Sequence, residues 1–212
     1  MTTFHIITIF PDMFTSYLGE SILARAIADK KIAVKFYNPR DNATNKHNRV
    51  DDKPYGGGPG MVMQAEPILR AVKKARGRKQ NVKIIMTSAG GKEFTNAYAK
   101  NVSKKHDHII IICGRYEGID ARVRKALHAQ EINVGDYVLT GGELPAMIMI
   151  DAMSRQIPGV LGKFESVEEN RISSHETYTR PDTITFEKKN YRVPPVLLSG
   201  HQKKIDEWRS GK

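Results

Sequence analysis

The sequence predicts an α/β fold with a mainly parallel sheet, and three observations carry the prediction. Apolar runs of strand length alternate with segments whose apolar residues recur at helical spacing. Residues 109–112 are four isoleucines in a row. Two glycine-containing loops, at residues 87–91 and 113–118, directly follow apolar runs, where open α/β sheets gather their ligand-binding turns.

Taken in order, residues 4–10 are apolar and rich in β-formers, a first strand ending at Pro11, where a helix can begin. Residues 21–30 place Ile22, Leu23, Ala26 and Ile27 at helical spacing, and residues 32–37 read as a second strand. A long polar loop then leads into Asp52-Lys-Pro-Tyr-Gly-Gly-Gly-Pro-Gly-Met61. Glycine opens backbone conformations closed to other residues and proline limits collapse, so this reads as a shaped binding loop. Residues 65–76 predict a helix, 82–87 a buried strand, 92–102 a helix, 109–112 a strand and 119–127 a helix. A short strand near 137–139 precedes a last, strongly apolar helix over 144–153, and the sheet domain, residues 1–161, is expected to end at Leu161. Residues 162–177 are polar and charged without a sustained period, which suits a linker or a loop that orders on binding. Residues 178–212 are too few to hold a core alone, so this tail, with its Ile205 and Trp208, is expected to pack on the main domain or on a second subunit.

Charge narrows the partners. The chain of 212 residues has 34 Lys and Arg against 23 Asp and Glu, a formal +11 spread along its length. An extended basic face suits a polyanion; the plain alternative is a cationic surface without a specific ligand. The single cysteine, Cys113, rules out an intrachain disulfide, and no Cys/His spacing suggests zinc, so a cytoplasmic protein is expected. No apolar run approaches the roughly 20 residues that span a bilayer, and no membrane partner is expected.

A third glycine-rich segment, residues 135–142, joins the two strand-end loops as a candidate wall for a flat, polar small molecule. None of them matches G-x-G-x-x-G or the phosphate-loop pattern, which disfavours ordinary dinucleotide or ATP binding. Arg115, Glu117, Asp120, Asp136 and Glu143 lie beside the glycines, where side chains can enter a cleft or simply form structural ion pairs. Glu117 and Asp136 are the stronger candidates for a role in the site.

The motifs DDKPYGGGPGM, CGRYEGID, VGDYVLTGGELPAM, SRQIPGVLG, YTRP and VPPVLLSGH, in that order from Ile6 to Trp208, resemble those of bacterial tRNA (guanine-N1)-methyltransferases of the TrmD type. The resemblance implies a SPOUT-class α/β domain with a carboxyl-terminal trefoil knot, working as a homodimer. It implies methyl transfer from S-adenosylmethionine to N1 of the guanosine immediately 3′ of the tRNA anticodon, position 37. By motif matching, the cofactor is expected at Met86, Thr87, Ser88 and Ala89, at Gly114, Tyr116 and Glu117, along Val134, Gly135, Asp136, Tyr137, Val138 and Leu139, and at Gly141, Gly142 and Pro145. RNA contacts are expected from Arg40, His47, Arg49, Asp51 and Lys53, and from Ser199, Gly200 and His201. Magnesium dependence is a family trait, although no cluster of oxygen ligands in the sequence marks a dedicated cage.

N1 of guanine carries a proton and is a poor nucleophile until a base removes it, after which charge builds on O6; a carboxylate and an arginine suit these tasks. Arg155 matches the family's arginine. The family's aspartate base stands fifteen residues later, where this chain departs with Asn170, which cannot act as a base. The segment on to YTRP is about three residues shorter than the family's usual form, and a local shift that presents the neighbouring Glu169 makes it the expected base. Glu168, Glu176 and Asp51 are alternatives, and so is a catalytically impaired RNA-binding protein on the same fold. An RNA methyltransferase with a different target is a third reading. The chain also stops at Lys212, where family members usually continue into a larger helical domain that grips tRNA.

Overall fold

The computed structural model describes residues 1–161 and 176–210. These divide into two units, within Met1–Gly162 and Lys163–Lys212.

The first unit is built on five strands, β1 (Thr2–Ile7), β2 (Ile32–Tyr37), β5 (Val82–Glu93), β6 (His108–Ile112) and β7 (Gln130–Asn133), in the order β2-β1-β6-β5-β7. Every neighbouring pair is parallel. A parallel sheet needs crossovers that cover both faces, which explains the isoleucine run in β6. Ile109 and Ile111 pack on one face with α2 (Ser21–Ala28), α4 (Asn96–Lys105) and α6 (Glu143–Ser154). Ile110 and Ile112 pack on the other with α3 (Ala65–Arg76) and α5 (Ala121–Leu127). The remaining elements of this unit are a 3₁₀ turn at Pro11–Phe14 running into α1 (Thr15–Leu18), a second such turn at Pro39–Asn42, and the two-residue strands β3 (Asp51–Asp52) and β4 (Val62–Met63).

Four expectations change. The first strand stops at Ile7 because the Thr8 hydroxyl accepts the Phe10 N–H at 2.9 Å and turns the chain off the sheet. Residues 87–91 do not end their strand. They form a bulge inside β5, with Thr87 and Lys92 both opposite Ile132. The helix expected from residue 92 therefore begins only at Asn96, where the Thr95 hydroxyl caps the Tyr98 N–H at 3.1 Å. The short strand near Tyr137 is instead β7, residues earlier: an edge strand whose only fully buried side chain, Ile132, gives little periodic signal.

In the second unit β8 (Thr183–Phe186) and β9 (Lys189–Arg192) form an antiparallel hairpin. Glu187 and Lys188 both take the positive φ that such a two-residue turn requires. Two short helices follow, α7 (Pro195–Leu198) and α8 (Gln202–Arg209), with Trp208 against Tyr178 at 6.2 Å between ring centres. None of its described side chains is fully buried.

Candidate functional site

The bulge within β5 and the carboxyl ends of β6 and β7 open into a cavity of about 430 Å³, within the range of small-molecule sites. Its walls are the β5 bulge, the loop after β6 and the segment joining β7 to α6. They are hydrogen-bonded to one another. Thr87 Oγ1 accepts the Gly114 N–H at 3.1 Å and donates to the Ile112 carbonyl at 3.2 Å, while the Gly142 N–H donates to the Gly114 carbonyl at 2.8 Å. A Cβ on Gly142 would run into Thr87 Oγ1 and come within 2.7 Å of the Gly114 nitrogen, so only glycine lets these loops close on each other. Asn133 ties the remaining pair: its Nδ2 donates to the Ala89 carbonyl at 2.9 Å and its Oδ1 accepts the Gly135 N–H at 2.8 Å. At Gly90 and Gly118, which also line the cavity, a Cβ would meet nothing, so bare backbone faces open space there.

An ion pair ties the wall to the interior, with Arg115 lining the cavity and Glu143 behind it. Glu143 is fully buried at the first turn of α6, accepting from the Thr8 hydroxyl at 2.8 Å and from Arg115 Nε at 2.8 Å. Arg115 also donates to the Thr140 carbonyl at 3.3 Å and lies over the Phe10 ring, 4.7 Å from its centre. The Cys113 thiol is completely buried, and that burial, followed by the nearby Glu143 carboxylate, pushes its pKa well above the ordinary value. It stays protonated and takes no part as a nucleophile.

The first glycine cluster is anchored to this wall. Glu117 N–H donates to the Met61 carbonyl and Asp120 N–H to the Met63 carbonyl, both at 3.0 Å. Gly60, at φ +81°, lies so close that a Cβ would sit 2.5 Å from Glu117 Oε1.

Of the residues expected to hold the cofactor, Met86 to Ala89, Gly114, Tyr116, Glu117, Val134, Tyr137 to Leu139, Gly141, Gly142 and Pro145 line this one cavity. Gly135 and Asp136 do not; Gly135 serves the turn that folds the Tyr137 ring back against it. The charged loop residues divide as well, with Arg115–Glu143 and Arg122–Asp120 forming structural ion pairs at 2.8 and 2.6 Å. Sequence reasoning missed Asn133, a polar residue in the strand it had not located. Arg155 is half-buried at the carboxyl end of α6, one helical stripe with Leu144, Ile148 and Asp151. Glu168, Glu169 and Asn170 lie outside the described residues. His47, Arg49 and Lys53 are exposed, Arg40 and Asp51 half-buried, and Ser199, Gly200 and His201 are exposed in the second unit. Among the described residues no group of three or more His, Cys, Asp or Glu is placed to hold a metal ion, and no helix is long and apolar enough to cross a membrane.

The sequence pattern of the family described as tRNA (Guanine-1)-methyltransferase TrmD matches residues 2–212. The chain belongs to this family. It is 49% identical to a tRNA (guanine-N(1)-)-methyltransferase of Clostridioides difficile, over 97% of this chain and 90% of that protein. A relative of the same name from Buchnera aphidicola is 46% identical, over 97% of this chain and 87% of its own. The crystal structure of the tRNA (m1G37) methyltransferase from Aquifex aeolicus superposes with a TM-score of 0.81 at 37% identity, covering 99% of this chain and 88% of that one. The fold is thus that of the TrmD family, the knotted SPOUT methyltransferases.

Proposed function

We propose that this protein transfers the methyl group of S-adenosylmethionine to N1 of guanosine 37, immediately 3′ of the tRNA anticodon. The observation that carries the reading is the coincidence of a family match over residues 2–212 with one cavity walled by the family's own glycine loops. The cavity fits the cofactor: an open space of about 430 Å³ with bare backbone at Gly90 and Gly118 and apolar contact from Ile119 and Leu139. S-adenosylmethionine supplies an electrophilic methyl group on a sulfonium. The strand-end loops hold and orient the donor, excluding water from the transfer.

Arg155 is read as the group that orients the guanine and offsets the charge growing on O6, and Glu169 as the base that takes the N1 proton. Support for two chains per site comes from α6. It is apolar on nearly every side, yet Leu144 and Ile148 are exposed, next to exposed Phe10, Met13 and Tyr17. A helix of that character is built to be covered, and a second copy is the natural cover. Arg155 shares that stripe and would so reach a neighbour's cavity. Magnesium finds no ligand set among the described residues, and no step here uses it. The buried, unreactive cysteine suits the cytoplasm.

Incubation with labelled S-adenosylmethionine and unmodified tRNA carrying guanosine at position 37 tests the proposal, with the product mapped by nucleoside analysis. Label at N1 is expected; donor-independent tRNA binding without transfer would favour the silent RNA-binding reading that Asn170 suggests. Arg155→Ala is expected to abolish transfer with donor affinity unchanged. Glu169→Gln should do the same, and full activity in that variant moves the base to another carboxylate.

A further inference from the structure

The first glycine cluster carries a residue that none of the assigned roles uses. Tyr55 is 99% exposed, far more than Tyr116 at 49% or Tyr137 at 54%. Its loop is held at the foot by the β3–β4 pairing, Asp51 opposite Met63 and Asp52 opposite Val62, and by Gly60 against Glu117, a wall residue of the cavity. Beyond that foot, Gly56, Gly57 and Gly58 take φ values of +85°, +80° and +112°, and nothing lies within 4 Å of where their side chains would be. Pro54 and Pro59 flank them. The loop therefore stands clear of the protein body and presents one aromatic ring, on a foot whose Gly60 lies against the cavity-wall residue Glu117.

An aromatic ring left wholly in water by a backbone shaped at the expense of glycine entropy stabilises nothing in the folded chain. Charges of both signs lie near it: Lys53 is two residues away beside Asp52, and Arg122, paired with Asp120 at 2.6 Å, lies within electrostatic reach of Tyr55. A flat ring held out on a glycine-rich loop is the chemistry that stacks on an unpaired base, while the chain's excess of 34 Lys and Arg over 23 Asp and Glu meets phosphate. We infer that Tyr55 stacks on an RNA base adjacent to the one being methylated, holding the strand open so that the target can enter the cavity.

This inference rests on the RNA methyltransferase reading, and the test separates the two. An anticodon stem-loop RNA with 2-aminopurine beside the target guanosine is titrated with the full-length protein, and fluorescence and methyl transfer are followed. Wild type is expected to quench the probe. Tyr55→Ala is expected to lose the quench and to raise the KM for RNA by about tenfold or more, with donor affinity and kcat within about twofold of wild type. Tyr55→Phe and Tyr55→Trp should restore both, which a hydroxyl-dependent role would not allow. Equal quenching and equal KM in Tyr55→Ala overturn the stacking role alone, whereas failure of wild type to bind the RNA overturns both readings. Loss of donor affinity in Tyr55→Ala would assign the ring to folding of the cavity and overturn the inference.

Discussion

At the scale of single residues, the site depends on a charge that never touches solvent. Glu143 is fully buried and is held by Thr8 and Arg115. Removing one partner of such a pair leaves the other desolvated, at a cost of about 3–5 kcal/mol, whereas replacing both with apolar groups is often neutral. Arg115→Met is therefore expected to lower unfolding free energy by about that amount, and Arg115→Met with Glu143→Leu to recover most of it, as read by urea denaturation. A double variant no more stable than the single one would mean that Arg115 acts through its Phe10 and Thr140 contacts instead. The sequence offered both residues as candidates for the cleft. Arg115 does line the cavity, but Glu143 turns into the core and bonds it from behind, and that follows from distance in space, which charge and glycine spacing cannot report.

Among the elements, those with a strong apolar period were legible from composition. The β2 and α3 bounds, Ile32–Tyr37 and Ala65–Arg76, agree with the pattern because each has a full apolar face and a clear stop. β7 was invisible: Gln130–Asn133 needs one buried isoleucine at a sheet edge, while the more apolar Tyr137–Leu139 stretch spends its side chains on the cavity. The cavity was legible in outline because glycines mark where backbones approach, but the bulge in β5 was not, since a strand that continues past two glycines reads as a strand that ends. α6 supplies the prediction at this scale. Ile148→Asp puts a charge on the exposed stripe without touching the core, so sedimentation should show the proposed dimer giving way to monomer, with transfer lost and the circular dichroism spectrum kept. An active monomer would remove the case for a shared site.

For the molecule as a whole, stability should follow pH through a cluster at the far end of the sheet. His5 is fully buried in β1, its ring nitrogens 3.2 Å from the Tyr37 hydroxyl and 3.4 Å from His108. Burial first, then the charges of Lys79, His108 and Lys35, lower its pKa to about 4. The fold thus refuses a proton that the unfolded chain accepts near pH 6.5. This contribution is complete above about pH 6.5 and is lost as pH falls toward about 4, amounting to up to about 3 kcal/mol. Denaturation midpoints measured across that window should fall with acidity, and a flat profile would show that His5 is protonated in the native state. The bonded contact of Thr87, Gly114 and Gly142 has a different reach. Its three members come from stretches separated by whole helices, so a nascent chain that has emerged only as far as α5 possesses most of its sheet and no binding pocket. The proposed donor site is therefore completed only by the last of three distant stretches, the one that carries Gly142.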